Sequence, residues 1–236
     1  MRPRISNVLS KGYGPGTASG KRRGMIFSAL AAVLLAVAPL RAQEAPVTLL
    51  ALGDSLTQGY GLPQGDGLVP QLQAWLQAHG HRVNIVNAGV SGDTTAGGRA
   101  RIGWSLTPDV QAVMIALGGN DMLRALPPAQ TRANIDAMLS EVNKRGLPVL
   151  LAGLSAPGNY GPDYQHAFNA IWPEMAAAHG AVLVPDLLAP LAALSPEERA
   201  ARGLMQADNI HPSAAGVKLV VEALGPQIEK LLTEVK

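Results

Sequence analysis

Five short apolar segments punctuate this chain: residues 47–53 (VTLLALG), 82–88 (RVNIVNA), 110–117 (VQAVMIAL), 147–154 (LPVLLAGL) and 181–185 (AVLVP). Most of them are nearly continuous in apolar character rather than alternating, as strands buried on both faces are. Between them, residues 68–79, 129–145 and 164–179 place apolar side chains three and four apart and predict helices, as does 213–232 at the end. Strands joined by helical crossovers pair in parallel, so the expected fold is α/β, a three-layer doubly wound domain. Sheets of this kind build their sites in the loops beyond the carboxyl ends of the strands.

The first 42 residues stand apart from this pattern. They hold Arg2, Arg4, Lys11, Lys21, Arg22, Arg23 and Arg41 and no acidic residue. Lys21-Arg22-Arg23, the apolar run from Met25 to Leu40 and the small Ala42 have the parts of a secretory signal peptide, with cleavage expected after Ala42. Residues 1–42 are therefore expected to be a leader and 43–236 a single domain, exported to the periplasm or secreted. No stable membrane span is expected once the leader is gone, because the apolar run is short of the roughly 20 residues a span needs. From residue 43 on, 12 Lys and Arg face 17 Asp and Glu, a net charge of −5 in place of the whole chain's +2. The domain therefore lacks the basic clusters that neutralise phosphates, and no nucleic-acid partner is expected. The chain has no cysteine, which excludes disulfides, thiolate nucleophiles and cysteine-ligated metals.

Chemistry-bearing residues gather at the predicted strand ends. The first strand runs into Gly53-Asp54-Ser55-Leu56-Thr57, where Ser55 is either a nucleophile on a tight turn or the N-cap of the next helix. The second ends in Asn87-Ala88-Gly89-Val90-Ser91-Gly92-Asp93-Thr94; Gly89 is either a turn glycine or a backbone donor open to an oxyanion. After the third comes Gly118-Gly119-Asn120-Asp121, in which Asn120 offers a neutral side-chain donor or a helix cap. Near the carboxyl terminus, Asp208-Asn209-Ile210-His211-Pro212 spaces a carboxylate and an imidazole so that a tight turn joins them and leaves one ring nitrogen free for a hydroxyl. Each feature alone has an ordinary structural explanation. Together they supply the nucleophile, base, orienting acid and oxyanion donors of acyl transfer. The other histidines, His79, His81, His166 and His179, sit in or beside predicted helices without the third ligand a catalytic zinc needs.

These four ordered blocks resemble those of the SGNH, or GDSL, hydrolases, and within that family the small bacterial periplasmic thioesterases, lysophospholipases and arylesterases. The resemblance covers the chain from about Val47 onward. It implies a five-stranded parallel sheet in the order 2-1-3-4-5, Ser55 as nucleophile, His211 as general base and acid, and Asp208 as its orienting carboxylate. It also implies an oxyanion hole formed by the Ser55 N–H, the Gly89 N–H and the Asn120 amide. Asp54 would brace the first turn, and Asp93 and Thr94 the second. Pro157-Gly158-Asn159-Tyr160-Gly161 resembles a substrate-side loop of the thioesterase group, implying Pro157, Asn159 and Tyr160 as substrate-binding residues. Met122 stands where close relatives often carry Gly and would narrow or grease an acyl channel.

The implied activity is hydrolysis of acyl esters, thioesters or lysophospholipids through an acyl-enzyme, with no cofactor or metal. A carbohydrate or peptidoglycan O-acetylesterase on the same fold is the first alternative. A non-catalytic acyl- or lipid-binding protein is the second, although it would be expected to have lost one of Ser55, Asn120, Asp208 and His211. A nucleotide-binding domain is disfavoured by the lack of a G-x-G-x-x-G turn after the first strand.

Overall fold

The computed structural model describes residues 45–236. The leader expected over residues 1–42 lies outside the described residues. Five parallel strands form one sheet in the order β2-β1-β3-β4-β5: β1 Val47–Gly53, β2 Val83–Gly89, β3 Ala112–Ala116, β4 Val149–Ala152 and β5 Val182–Val184. Central β1 and β3 explain their continuous apolar sequences. Leu49, Ala51 and Met114 face one layer, packed with Leu72 and Leu76 of α2 (Leu68–Ala78) and Leu224 and Ile228 of α10 (Ala214–Leu232). Leu50, Leu52, Val113 and Ile115 face the other, against Ile102 of α3 (Thr95–Ser105), Ile135 and Met138 of α5 (Pro128–Lys144), and Phe168 and Trp172. Edge strand β2 buries only alternate residues at its start, and Val86 remains exposed.

Two differences from the expected helices have physical causes. The stretch 164–179 is two helices, α6 (Pro162–Asn169) and α7 (Ile171–His179), separated at Ala170; Pro173, near the start of α7, has no N–H with which to continue the ladder. Helix α3 has no strong apolar periodicity and carries Gly97 and Gly98, each costing about 1 kcal/mol against alanine. Gly98 is required by packing, since a Cβ there would stand 2.2 Å from Leu117 Cδ1. Short helices α1 (Ser55–Gln58), α4 (Gly119–Leu123), α8 (Ala189–Ala192) and α9 (Pro196–Ala201) complete the chain. Among the described residues, no helix is long and apolar enough to cross a membrane.

Candidate active site

The carboxyl ends of β1 and β3 and the loop before α10 converge on Ser55. Asp54, not Ser55, caps α1: its Oδ1 accepts the Leu56 N–H at 3.0 Å. Ser55 is thereby the first helical residue, where a backbone N–H has no partner within the helix. The turn folds back so tightly that a Cβ on Gly53 would lie 2.0 Å from Thr57 Oγ1.

His211 Nε2 lies 2.8 Å from Ser55 Oγ, and its Nδ1 lies 2.6 Å from Asp208 Oδ2. Asn209, with φ 55, makes the sharp turn between the partners. Asp208 Oδ1 meanwhile accepts the Ile210 and His211 N–H groups at 2.9 and 3.0 Å, so one carboxylate both shapes the loop and orients the ring. Those contacts, the His211 N–H first, then the His211 ring and the Ile210 N–H, pull the Asp208 carboxyl down to about 2. With Asp208 ionised at neutral pH, the short contact calls for hydrogen on Nδ1, leaving Nε2 to accept the Ser55 proton. Gln206 secures the loop by donating from Nε2 to the carbonyls of Tyr60 and Pro212 at 2.8 and 3.0 Å.

Asp54 is the opposite case. Its carboxyl is buried, and desolvation raises it to about 6 despite the Leu56 N–H and the nearby His211 ring, both of which favour the ionised form.

Asn120 and Met122 lie on α4 and line a groove of about 490 Å³ that also touches Ser55, Gly92, Pro157 and His211. Behind α4, Asp121 is buried and accepts from Thr95 N at 2.8 Å, and from the Thr95 and Thr131 hydroxyls, which ties it to α3 and α5. Gly118, at φ 123, begins α4 under Trp172; a Cβ there would meet the indole at 2.7 Å.

The sequence-predicted residues do not all converge. Gly89 does not line the groove: it pairs in register with Gly53, and its N–H donates to Asn87 Oδ1 at 2.9 Å. A Cβ at Gly89 would stand 2.2 Å from Gln58 N, so glycine is needed there to let α1 pack over β2. Gly92, three residues on at φ 79, is the glycine of this block that lines the groove. Among the described residues, neither the Ser55 N–H nor the Gly92 N–H donates to another backbone group. Pro157 lines the groove but Asn159 and Tyr160 do not. The Tyr160 ring stacks on Tyr164 with centroids 5.1 Å apart, continuing through Phe168 to Trp172.

Sequence reasoning also missed the apolar groove residues Leu188, Leu191 and Met205, and Arg101, whose guanidinium binds Asp93 and the carbonyls of Gly53 and Ala88 at 2.7–2.8 Å. Leu188 and Met205 lie outside the helices, Leu191 is on the four-residue α8 and Arg101 on the weakly periodic α3, so no periodic signal marks them. The other histidines make local contacts: His79 stacks on Trp75, His81 meets Glu229 and His179 meets Asp136. Among the described residues, no three His, Asp or Glu side chains cluster so as to hold a metal.

A model of the GDSL-like Lipase/Acylhydrolase family matches residues 51–219. The chain is 38% identical over 211 residues to Esterase TesA of Pseudomonas aeruginosa, covering 89% of this chain and 100% of that protein. It is 33% identical over 186 residues to the thioesterase 1/protease 1/lysophospholipase L1 of Escherichia coli K12, covering 78% of this chain and 85% of that protein. The crystal structure of TesA matches with a TM-score of 0.71 at 39% identity, over 78% of this chain and 99% of that one. The SGNH-hydrolase family esterase AlinE4 matches with a TM-score of 0.64 at 41% identity, over 81% and 99%. A family match across most of the fold, and relatives aligned over nearly their whole length, show that the chain belongs to the GDSL-like lipase/acylhydrolase family.

Proposed function

We propose that this chain hydrolyses carboxylic esters and thioesters through an acyl-enzyme on Ser55. The contact chain Ser55 Oγ to His211 Nε2 at 2.8 Å and His211 Nδ1 to Asp208 Oδ2 at 2.6 Å carries this reading. His211 Nε2 takes the Ser55 proton as Oγ bonds to the acyl carbon, and the Asp208 carboxylate stabilises the imidazolium. The carbonyl oxygen becomes an oxyanion, for which the Ser55 N–H, the Gly92 N–H and the Asn120 amide are the donors; Gly92 takes the place expected for Gly89. The tetrahedral adduct then collapses, the carbon–leaving-group bond breaks, and the alkoxide or thiolate receives the proton from His211. Water, deprotonated by His211, attacks the acyl-enzyme, and release of the acid restores Ser55.

The groove's apolar wall, with Met122, Pro157, Leu188, Leu191 and Met205, favours an acyl chain over a carbohydrate in the occupied position. The names of the relatives support the same substrates: an esterase, an arylesterase, and a thioesterase that is also a lysophospholipase. We further propose that residues 1–42 direct export and are removed, so that residues 43–236 act as a single domain in the periplasm or outside the cell. Amino-terminal sequencing of the exported protein tests this, and a mature chain that retains residues 21–42 would contradict it.

For the activity, p-nitrophenyl esters from acetyl to palmitoyl, run beside the matching acyl-CoA thioesters, give the decisive panel. Turnover that is lost in Ser55→Ala is expected; no hydrolysis of any member by the native protein would overturn the proposal.

A further inference from the structure

The two proposed oxyanion donors that do not belong to Ser55 come from separate elements: Asn120 from α4, and Gly92, at φ 79, from the loop after β2, in a turn closed by the Asp93 N–H to Val90 carbonyl bond at 3.0 Å. A buried tie from Asp121 to Thr95 fixes the loop's far end but stops three residues short of Gly92. Closer in, Arg124 spans the gap. It is the C-cap of α4, and its backbone N–H donates to the Asn120 carbonyl at 3.2 Å. Its guanidinium reaches across the groove's edge and donates from Nη2 to the Gly92 carbonyl at 2.9 Å. At the next residue, the carboxylate of Asp93 is gripped by Arg101 Nε at 2.8 Å, and Arg101 holds the ends of β1 and β2 through Gly53 O and Ala88 O. A Cβ on Gly97 would stand 1.7 Å from Asp93 Oδ1, so glycine at 97 makes room for that carboxylate.

We propose that Arg124 is a positioning residue for the oxyanion hole, a strut that sets the distance and angle between the Gly92 N–H and the Asn120 amide, with Arg101 anchoring the same loop to the nucleophile's strand. The inference rests on the assignment of Gly92 and Asn120 as donors. Arg124 on the Gly92 carbonyl and Arg101 on Asp93 both hold the carboxyl side of Gly92, and the turn closed by the Asp93 N–H to Val90 carbonyl bond at 3.0 Å carries that constraint back through Gly92 to its N–H. A donor displaced by a fraction of an ångström loses transition-state stabilisation while ground-state binding of the acyl chain is untouched.

Arg124 is exposed whereas Arg101 is nearly buried, so Arg124 is the cleaner test. With p-nitrophenyl butyrate, Arg124→Ala is expected to lower kcat by about tenfold or more with KM within about twofold. Affinity for an alkyl boronic acid, whose tetrahedral adduct on Ser55 mimics the oxyanion, is expected to fall by the same factor, and Arg124→Lys to recover part of it. In an Asn120→Ala background, Arg124→Ala is expected to cost less than it does alone. Unchanged kcat in Arg124→Ala, or a rise in KM with boronate affinity intact, would overturn the strut. Normal turnover in Asn120→Ala would instead overturn the donor assignment itself, so the two failures are distinguishable.

Discussion

Replacing Asp54 by Asn isolates the cost of placing a carboxylate under the nucleophile's turn. Burial raises this group from 3.8 to about 6, and that difference corresponds to about 3 kcal/mol of destabilisation once the carboxyl is ionised in both folded and unfolded states. The sign follows from proton uptake. Below about 3.8 the group is protonated in both states and the cost is absent; between 3.8 and about 6 the folded protein keeps a proton that the unfolded chain has released, so stability falls as pH rises and then levels off. Asn keeps an Oδ1 acceptor for the Leu56 N–H and remains a good N-cap, and the carboxylate's stronger hold on that N–H is already contained in the net rise to about 6. The expected net gain for Asp54→Asn is about 3 kcal/mol at pH 7.5, shrinking as the pH is lowered to 4. Urea unfolding followed by far-ultraviolet circular dichroism at several pH values reads it directly. A variant less stable than the native protein at pH 7.5, or a difference that does not change with pH, would refute the reasoning.

Asp208→Asn should hold the loop through Oδ1 but present the wrong partner to Nδ1, lowering kcat by roughly 10³- to 10⁴-fold, measured with an activated ester at neutral pH. Because Asp208 stays ionised down to about pH 2, the acid limb of the native rate profile is not expected to report it. Asn120→Ala should cost about 10²-fold or more in kcat with little change in KM. Gly89→Ala should reduce folded yield and thermal stability, because its Cβ meets backbone at 2.2 Å rather than a movable side chain; a soluble variant of native stability would contradict this. Activity should survive prolonged dialysis against EDTA, measured on the same ester.

Much of this architecture is legible in the sequence because burial on both faces writes itself into β1 and β3 as continuous apolar runs, and helices α2, α5 and α10 carry a clear three-and-four spacing. Helix α3 escapes that logic: its residues are chosen for close approach and for the Arg101 fork, which leave glycines and charges in place of a stripe. The site divides in the same way. Ser55, His211 and Asp208 are readable because their chemistry needs particular residue types, and a tight turn fixes two of them at a spacing of three. Gly89 and Gly92 have identical side chains, and only the register of β2 with β1 separates the packing glycine from the one at the groove. Tyr160, expected to meet substrate, lays its ring on Tyr164 in an aromatic row that runs through Phe168 to the indole against Gly118.

The most direct test of the central claim is to quench the native protein in acid during steady-state turnover of a slow p-nitrophenyl ester and weigh it intact. An adduct of one acyl group, mapped by peptide sequencing to Ser55 and absent from Ser55→Ala, is the predicted result. Turnover with no adduct on Ser55, or an adduct that persists on another residue in Ser55→Ala, would contradict it.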